Sequence, residues 1–198
     1  MEDRRILIAD TAIAVIADVG VRGLTHRAVD AAANLATGST SYYARSKAQL
    51  VSLTVERLAS LLRGYTEHTA LASASPNDGG ELVKTLRDWL EGLYADYQGE
   101  LRSRAALILE LEQSEGADAD LLREALVSAE DLAGPLKSAG IDSDTGPALL
   151  AALEGCLWEH SAGRQLGATK SGTDAFLLES VLSSHHHSGG RGLFGLRR

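Results

Sequence analysis

The 198-residue chain has 44% hydrophobic residues, a formal net charge of −8 and one cysteine, which predicts a globular protein and excludes an internal disulfide framework. No apolar run approaches the roughly 18 residues that a membrane-spanning helix needs, and residues 1–10 lack the cleavage site of a signal peptide. We therefore expect a cytoplasmic protein without a membrane segment.

Apolar residues recur at helical spacing in residues 4–19, and Gly20 follows them. This spacing predicts one amphipathic helix that ends at Gly20. Arg4 and Arg5 lie at its free end, where two interpretations stay open: contact with a phosphate, or solvated charge. The apolar positions are Ile6, Leu7, Ala9, Ile13, Ala14, Ile16 and Ala17.

Residues 24–47, LTHRAVDAAANLATGSTSYYARSK, contain two short helical segments separated by a tight turn. Thr25 is a candidate cap for the first segment. Asn34 falls where the chain must turn through a left-handed conformation, which asparagine tolerates. The second segment begins near Thr37, with small hydroxylated residues in its first turn and two tyrosines one turn later. No buried face would favour that composition, so we expect an exposed helix of a helix-turn-helix aimed at DNA.

These features resemble those of the TetR family of transcriptional regulators, whose DNA-binding domain covers the first quarter of the chain. Asn34 stands in place of the usual turn glycine, and Ala44 stands where the family usually has a phenylalanine. A missing buried aromatic of this size costs on the order of 3 kcal/mol unless other side chains fill the space. The matching features are the long first helix, the corner at residues 20–23, Leu24, Thr25, Val29, Ala33, residues 38–43, Ser46 and Lys47.

Side-chain chemistry suggests how this segment would contact DNA. Lys47, at the positive end of the next helix, is expected to hold a phosphate, with Tyr42 donating to another. Gly38 lets the backbone approach closely, while His26 and Arg27 brace the DNA backbone from the preceding helix. The candidates for reading base edges or thymine methyls are Thr37, Ser39, Thr40 and Tyr43.

Charge differs between the two parts of the chain. Residues 1–47 contain six basic and five acidic residues, whereas residues 48–198 contain 13 basic and 22 acidic residues. A nearly neutral head joined to an acidic body fits a protein that docks one end on a polyanion. Plain solubility explains the same asymmetry, because acidic surfaces are common.

The remaining sequence predicts further helices. A long one begins after the capping residue Ser46 and runs to about residue 69. Loops are predicted at residues 73–80 and 138–147, which contain strong turn formers. The other predicted helices cover residues 82–97, residues 101–112, residues 118–133 with Pro135 kinking or ending the helix, residues 149–166 and residues 176–182.

The helices of the body could enclose a pocket for an apolar small molecule, although an ordinary core without a cavity explains the same aromatic residues. The candidate ligand-binding residues are Trp89, Leu93, Tyr94, Ile108, Leu109 and Trp158.

The last two helices are apolar on more than one side, which favours burial against a second copy of the chain. The resemblance implies the same pairing, in a four-helix dimer interface, and a palindromic operator with half-sites about one helical turn apart. The candidate interface residues are Leu149, Leu153, Leu157, Phe176, Leu177 and Val181.

We therefore predict an all-α protein of about nine helices, with no catalytic activity, metal or cofactor. No phosphate loop, nucleophile elbow or paired metal-ligand motif occurs in the sequence. The predicted function is that of a dimeric repressor released from DNA by a small molecule; the alternative is a helical ligand-binding or interaction protein with a degenerate DNA-binding head. The predicted divisions are a DNA-binding domain at residues 1–47, a ligand-binding and dimerisation domain at 48–184, and a flexible tail at 185–198.

Overall fold

The computed structural model describes residues 2–112, 118–162 and 170–186. These ranges contain helices and no β-strand. The all-α class is thus confirmed. No helix in these ranges combines the length and hydropathy needed to cross a membrane. The helices are α1 (Glu2–Gly23), α2 (His26–Ala32), α3 (Ser39–Tyr43), α4 (Lys47–His68), α5 (Gly79–Asp96), α6 (Gln98–Leu111), α7 (Asp118–Leu126), α8 (Ala129–Ser138), α9 (Gly146–Ser161) and α10 (Lys170–His186).

Polar side chains define several helix starts. Thr25 accepts a hydrogen bond from the backbone N–H of Ala28, and Ser46 accepts one from that of Gln49, as expected for residues that satisfy the free N–H groups of a first turn. Both caps were predicted from the sequence and are confirmed. The regular helical conformation of α1 is interrupted at Gly20, where φ is 75°, so the predicted end of the first helix is also confirmed.

The single helix predicted for residues 118–133 is wrong, because the chain breaks between α7 and α8. Ser128 is extended and starts α8: its hydroxyl oxygen accepts the N–H of Asp131, whose carboxylate accepts the N–H of Ser128 at 2.7 Å. This reciprocal cap stabilises a new helix start. Pro135 lies inside α8 rather than at its end.

Polar contacts join the amino-terminal helices to the body. The Ser103 hydroxyl in α6 donates to the backbone carbonyl of Ile13 in α1 at 2.7 Å. Arg57 in α4 contacts Asp10 in α1 at 2.6 Å, and Ser52 in α4 donates to Asp118 in α7 at 3.0 Å. Because one hydrophobic cluster also runs from α1 to α10, the head is packed directly on the body. The domain boundary at residue 47 stays a prediction.

A buried ion pair joins α6 to α9. The Arg104 side chain is 5% exposed and both its terminal nitrogens contact the Glu154 carboxylate, at 2.5 and 3.1 Å. Its Nε donates to the carbonyl of Leu122 at 3.0 Å. The three nitrogens of this guanidinium therefore each contact a partner supplied by α7 or α9.

We predict that Glu154→Ala lowers the free energy of unfolding by about 3 kcal/mol, because it leaves the buried Arg104 charge without its counterion. Urea denaturation measures the change. The matched control is Asp88→Ala, which breaks the exposed Lys84–Asp88 pair and should cost less than about 1 kcal/mol. Equal losses in the two variants would contradict the prediction.

Candidate nucleic-acid interface

A tight turn connects α2 to α3. Asn34 has a φ of 53°, the one positive value among the non-glycine residues that the structure describes, which confirms its predicted left-handed conformation. The turn is closed by backbone hydrogen bonds from Asn34 to Ala31 at 3.2 Å and from Leu35 to Asp30 at 2.8 Å. These bonds reverse the chain and bring α3 back against α2.

Helix α3 has five residues and begins after Gly38. Gly38 has a φ of 93°, and a Cβ built on it would meet nothing within 4 Å. The requirement for glycine here is therefore conformational rather than steric. The backbone N–H of Gly38 donates to the carboxylate of Asp30 at 2.7 Å.

Asp30 is the principal residue of this site that the sequence interpretation missed. Its side chain lies on the buried side of α2, 3% exposed, and accepts hydrogen bonds from Gly38 and from both the N–H and the hydroxyl of Thr40. An aspartate among small apolar residues, four positions after His26, was the available signal.

The environment of Asp30 favours its ionised form. Burial alone raises the pKa of its carboxyl group, but the hydrogen bonds from Thr40 and Gly38 and the nearby His26 lower it below the ordinary value of 3.8. Because the folded-state pKa is depressed, this group stabilises the head fully above the unfolded-state pKa. The stabilisation is lost as the pH falls through the lower, folded-state pKa.

Thr40 does not face outward, so its predicted contact with base edges is wrong. The residue is fully buried, and its hydroxyl donates to Asp30 at 2.7 Å. A residue in the first turn of a helix can point outward or back toward the preceding helix, and the Asp30 carboxylate selects the second direction. Ser39 is only half-buried, and its hydroxyl donates to the Ala36 carbonyl at 2.6 Å.

His26 has an internal contact that the sequence did not predict. Its Nε2 lies 2.7 Å from the carbonyl oxygen of Ala44, at the end of α3. A carbonyl only accepts, so Nε2 carries the proton in this contact. Nε2 therefore forms a hydrogen bond within the protein. The neighbouring Arg27 is exposed. Ala44 itself is 1% exposed and belongs to the hydrophobic core.

The outer side of α3 presents aromatic and hydroxyl groups. Tyr42 is 74% exposed and packs edge-on against the half-buried Tyr43, with ring centroids 5.1 Å apart. Thr37 and Lys47 are exposed on either side of the helix in the sequence, and Lys47 is the first residue of α4. These predicted contact residues are therefore accessible together.

Two surface clefts adjoin the tyrosines of α3. A cleft of about 500 Å³ is lined by Arg5, Arg45 and Gln49 in addition to the tyrosines. A second cleft, of about 450 Å³, contains Arg4 and Ser39. Arg5 also approaches Glu56, at 3.5 Å, but both side chains are more than half exposed. Each cleft thus places an arginine of α1 beside Tyr42 and Tyr43, in a position suited to an anionic backbone.

The same fold occurs in proteins of known structure. No protein-family model matches the sequence and no curated protein matches it. The multidrug binding protein EbrR in complex with imidazole aligns over 92% of this chain and 91% of its own, with 25% identity and a TM-score of 0.62. EbrR in complex with proflavin aligns over 90% and 99%, with 26% identity and a TM-score of 0.54.

A TetR-family member from Streptomyces coelicolor A3 aligns over 91% of this chain and 98% of its own, with 24% identity and a TM-score of 0.66. A TetR-like transcriptional regulator from Rhodococcus sp. RHA1 aligns over 96% and 98%, with 20% identity and a TM-score of 0.58. The protein has the TetR fold. These alignments cover nine-tenths of the chain or more, so they include residues of both the head and the body.

In the body of this TetR fold, the structure separates the predicted ligand-binding residues into two groups. Trp89, Leu93, Tyr94 and Ile108 are buried, whereas Leu109 is 55% exposed and Trp158 is 38% exposed. Leu109 and Trp158 thus lie at the surface of a single chain, and their contact with a ligand stays a prediction. Leu109 directly follows a buried residue of α6, and one residue step turns its side chain by about 100° around the helix axis, away from the core.

A polar cluster lies beside the buried group. The Tyr94 ring stacks on that of His160, with centroids 3.9 Å apart and an angle of 7° between the planes. Burial, and to a smaller extent the nearby Asp174 carboxylate, raise the pKa of the Tyr94 hydroxyl. The same two causes raise the pKa of the Cys156 thiol to about 12. Trp89 Nε1 has no hydrogen-bond partner among the described residues. Aromatic rings and polar groups therefore meet inside the body between α5, α9 and α10.

The predicted dimer residues are also divided. Leu149, Leu153 and Leu157 are at most 1% exposed within a single chain, so their prediction as interface residues is wrong. They recur every four residues along α9 and form its core-facing stripe. Phe176 is 67% exposed and Leu177 is 36% exposed on α10, and Val181 is half-buried.

The predicted tail falls largely outside the described residues. His185 and His186 form the end of α10, and residues 187–198 are outside the described ranges. Among the described residues, no group of three or more His, Cys, Asp and Glu side chains is placed to hold a metal ion.

We predict that Gly38→Ala destabilises the protein by about 1–2 kcal/mol, because alanine is strained at a positive φ even in open space. Chemical denaturation measures the loss. Gly64→Ala is the matched control: Gly64 lies within α4, and its added Cβ also meets nothing within 4 Å. There alanine should stabilise by up to about 1 kcal/mol. A loss of the same size at both positions would contradict the conformational explanation.

Proposed function

We propose that this protein is a DNA-binding transcriptional regulator of the TetR type, a homodimeric repressor that a small molecule releases from a palindromic operator. The observation that carries the proposal is the exposed side of α3, where Tyr42 projects between two clefts that each contain an arginine. The TetR fold, aligned over about nine-tenths of the chain, supports the same function. The acidic body and nearly neutral head are consistent with docking through the head alone.

Phosphate contacts would come from groups around the two clefts. Lys47 is exposed in the first turn of α4, where its charge adds to the positive end of the helix. Two hydrogen bonds fix the start of α4. The Ser46 hydroxyl oxygen accepts the backbone N–H of Gln49, and the Gln49 side-chain oxygen accepts the backbone N–H of Arg45 at 2.7 Å. Lys47 thus projects from a well-defined position. Tyr42 and Arg27, both exposed, are the other proposed backbone contacts.

Base contacts would come from the accessible groups of α3 and the residue before Gly38. Thr37 is exposed, and Ser39 and Tyr43 are half-buried with surfaces on the clefts or beside them. Hydroxyl groups hydrogen-bond to base edges, and the aromatic ring suits a thymine methyl. Gly38 allows the backbone at the start of α3 to approach the duplex.

We expect Lys47→Ala to weaken binding to every duplex alike and to lower the slope of log K against log salt by about one, because it removes one phosphate contact. Fluorescence titration at several salt concentrations measures both quantities, with a duplex selected from a random pool and a scrambled duplex.

The matched control is Lys84→Ala, an exposed lysine on α5 in the body. It should leave the slope unchanged. If Lys47→Ala also leaves the slope unchanged, Lys47 holds no phosphate. If the unsubstituted protein binds neither duplex at low salt, the alternative of a degenerate DNA-binding head replaces the regulator proposal.

The proposed dimer interface uses the apolar side chains that a single chain leaves exposed near its carboxyl end. Trp158 on α9 and Phe176 and Leu177 on α10 are between 36% and 67% exposed. Large apolar side chains on neighbouring helices favour burial against a second copy, in a twofold arrangement that would present two α3 helices to successive turns of the major groove.

We predict that Phe176→Asp raises the dimer dissociation constant by at least about thirtyfold, because a buried phenylalanine contributes about 2 kcal/mol or more and a carboxylate opposes burial. Sedimentation equilibrium measures the constant. The control Leu109→Asp changes another exposed apolar residue, on α6, and should not alter it. A strictly monomeric unsubstituted protein would remove the dimer from the proposal.

The effector would be a small molecule bound inside the body. EbrR, which shares this fold, has been crystallised with imidazole, ethidium and proflavin. In the present chain the stacked Tyr94 and His160 rings, Trp89 and the adjacent Asp174 offer aromatic faces beside a carboxylate. These groups suit a largely apolar, planar compound, held by ring stacking and a few polar contacts.

A further inference from the structure

We propose that His26 and Asp30 are positioning residues that clamp both ends of α3, so that the orientation of the DNA-contacting helix is set by polar contacts from α2. This inference rests on the proposed function, since the orientation matters through DNA binding. In this proposal His26 and Asp30 act on α3 from within the protein, and neither needs to contact DNA.

The need for such a clamp follows from the length of α3. Five residues form little more than one helical turn, and an isolated helix shorter than about 12 residues is marginal in water. Only Thr40 of α3 is buried, and the remaining residues of α3 are half-buried or exposed. The half-buried Tyr43 ring packs against the hydrophobic core, so apolar contact holds α3 at that residue. The orientation of the two ends of α3 depends on other contacts.

At the amino end of α3, Asp30 takes the place of a conventional helix cap. The Gly38 residue that precedes α3 makes no side-chain cap. Instead the Asp30 carboxylate accepts the N–H of Gly38 at 2.7 Å, the N–H of Thr40 at 2.8 Å and the hydroxyl of Thr40 at 2.7 Å. Hydrogen bonds to an ionised acceptor are stronger than neutral ones, and a negative charge is favourable at a helix amino terminus.

At the carboxyl end of α3, His26 contacts the backbone carbonyl of Ala44, the residue at which the helix ends. Its Nε2 donates to the carbonyl of Ala44 at 2.7 Å, across 18 residues of sequence. His26 and Asp30 are four residues apart on α2 and therefore lie on one side of that helix, one turn from each other. One face of α2 thus contacts α3 at both ends.

The clamp has an electrostatic consequence that separates it from a direct effect on DNA. Asp30 carries a negative charge close to the surface proposed to meet phosphates. If charge were its only influence, removing it would strengthen DNA binding. If Asp30 instead orients α3, removing its charge should weaken binding to the selected duplex despite the more favourable electrostatics.

The experiment compares Asp30→Asn with Asp18→Asn in the full-length protein. Both variants lose one negative charge in the head, and Asp18 is exposed on α1. Fluorescence titration uses two probes, a duplex selected by the unsubstituted protein from a random pool and a scrambled duplex. Asp30→Asn should weaken binding to the selected duplex by at least about tenfold while changing binding to the scrambled duplex by less than about threefold.

Asp18→Asn should bind both duplexes as tightly as the unsubstituted protein or slightly more tightly. Unchanged or stronger binding of Asp30→Asn to the selected duplex would overturn the proposal. A proportional loss for both duplexes would also overturn it, since orientation affects base reading more than phosphate contact.

His26 is tested by two replacements that differ in one donor. His26→Gln can place an amide N–H near the position of Nε2, whereas His26→Met has similar bulk without a donor. We expect Gln to retain binding to the selected duplex within about threefold and Met to lose at least about tenfold. Equal behaviour of the two variants would show that packing alone accounts for His26, and would remove it from the clamp.

Amide hydrogen exchange keeps the proposal testable where a variant unfolds. In the unsubstituted protein the N–H groups of Gly38 and Thr40 should exchange as slowly as those of α2, because both are hydrogen-bonded to Asp30. Rapid exchange at either amide overturns the clamp. If the unsubstituted protein selects no duplex, the regulator function fails, while the exchange rates still decide whether Asp30 fixes α3.

Discussion

The buried carboxylate of Asp30 is the interaction on which the geometry of the head depends. A short helix can be held against its neighbour by apolar packing or by polar contacts, and α3 relies on the latter at both of its ends. Polar contacts have stricter distance and angle requirements than apolar ones. These contacts define the orientation of α3. They also bury the Asp30 charge, which is unfavourable unless its hydrogen bonds from Gly38 and Thr40 are kept.

The sequence predicted the features of the head that depend on neighbouring residues. Thr25 and Ser46 act as caps, and Asn34 adopts a positive φ, because each outcome is decided within a few positions along the chain. Thr40 was misplaced because its direction depends on Asp30, ten residues away. A hydroxyl residue suits both an exposed surface and a buried hydrogen bond, so its type alone could not distinguish the two.

The body shows the same limit for apolar residues. Helix α9 is apolar on more than one side, and the sequence could not show which side meets the core of its own chain. The structure assigns Leu149, Leu153 and Leu157 to that core and leaves Trp158 exposed. The break at Ser128 was missed for a related reason: its cap competes with a continuing helical pattern, and the Arg63 side chain of α4 adds a further contact to Asp131 at 2.8 Å.

Helix α6 offers a mechanical connection between distant parts of the molecule. Ser103 is bonded to the backbone of α1, and the next residue, Arg104, is paired with Glu154 of α9. Their side chains leave adjacent positions of α6, about 100° apart around its axis, and contact two different helices. A displacement of α9 that moved Glu154 would therefore act on Arg104, the immediate neighbour of the residue whose hydroxyl holds α1.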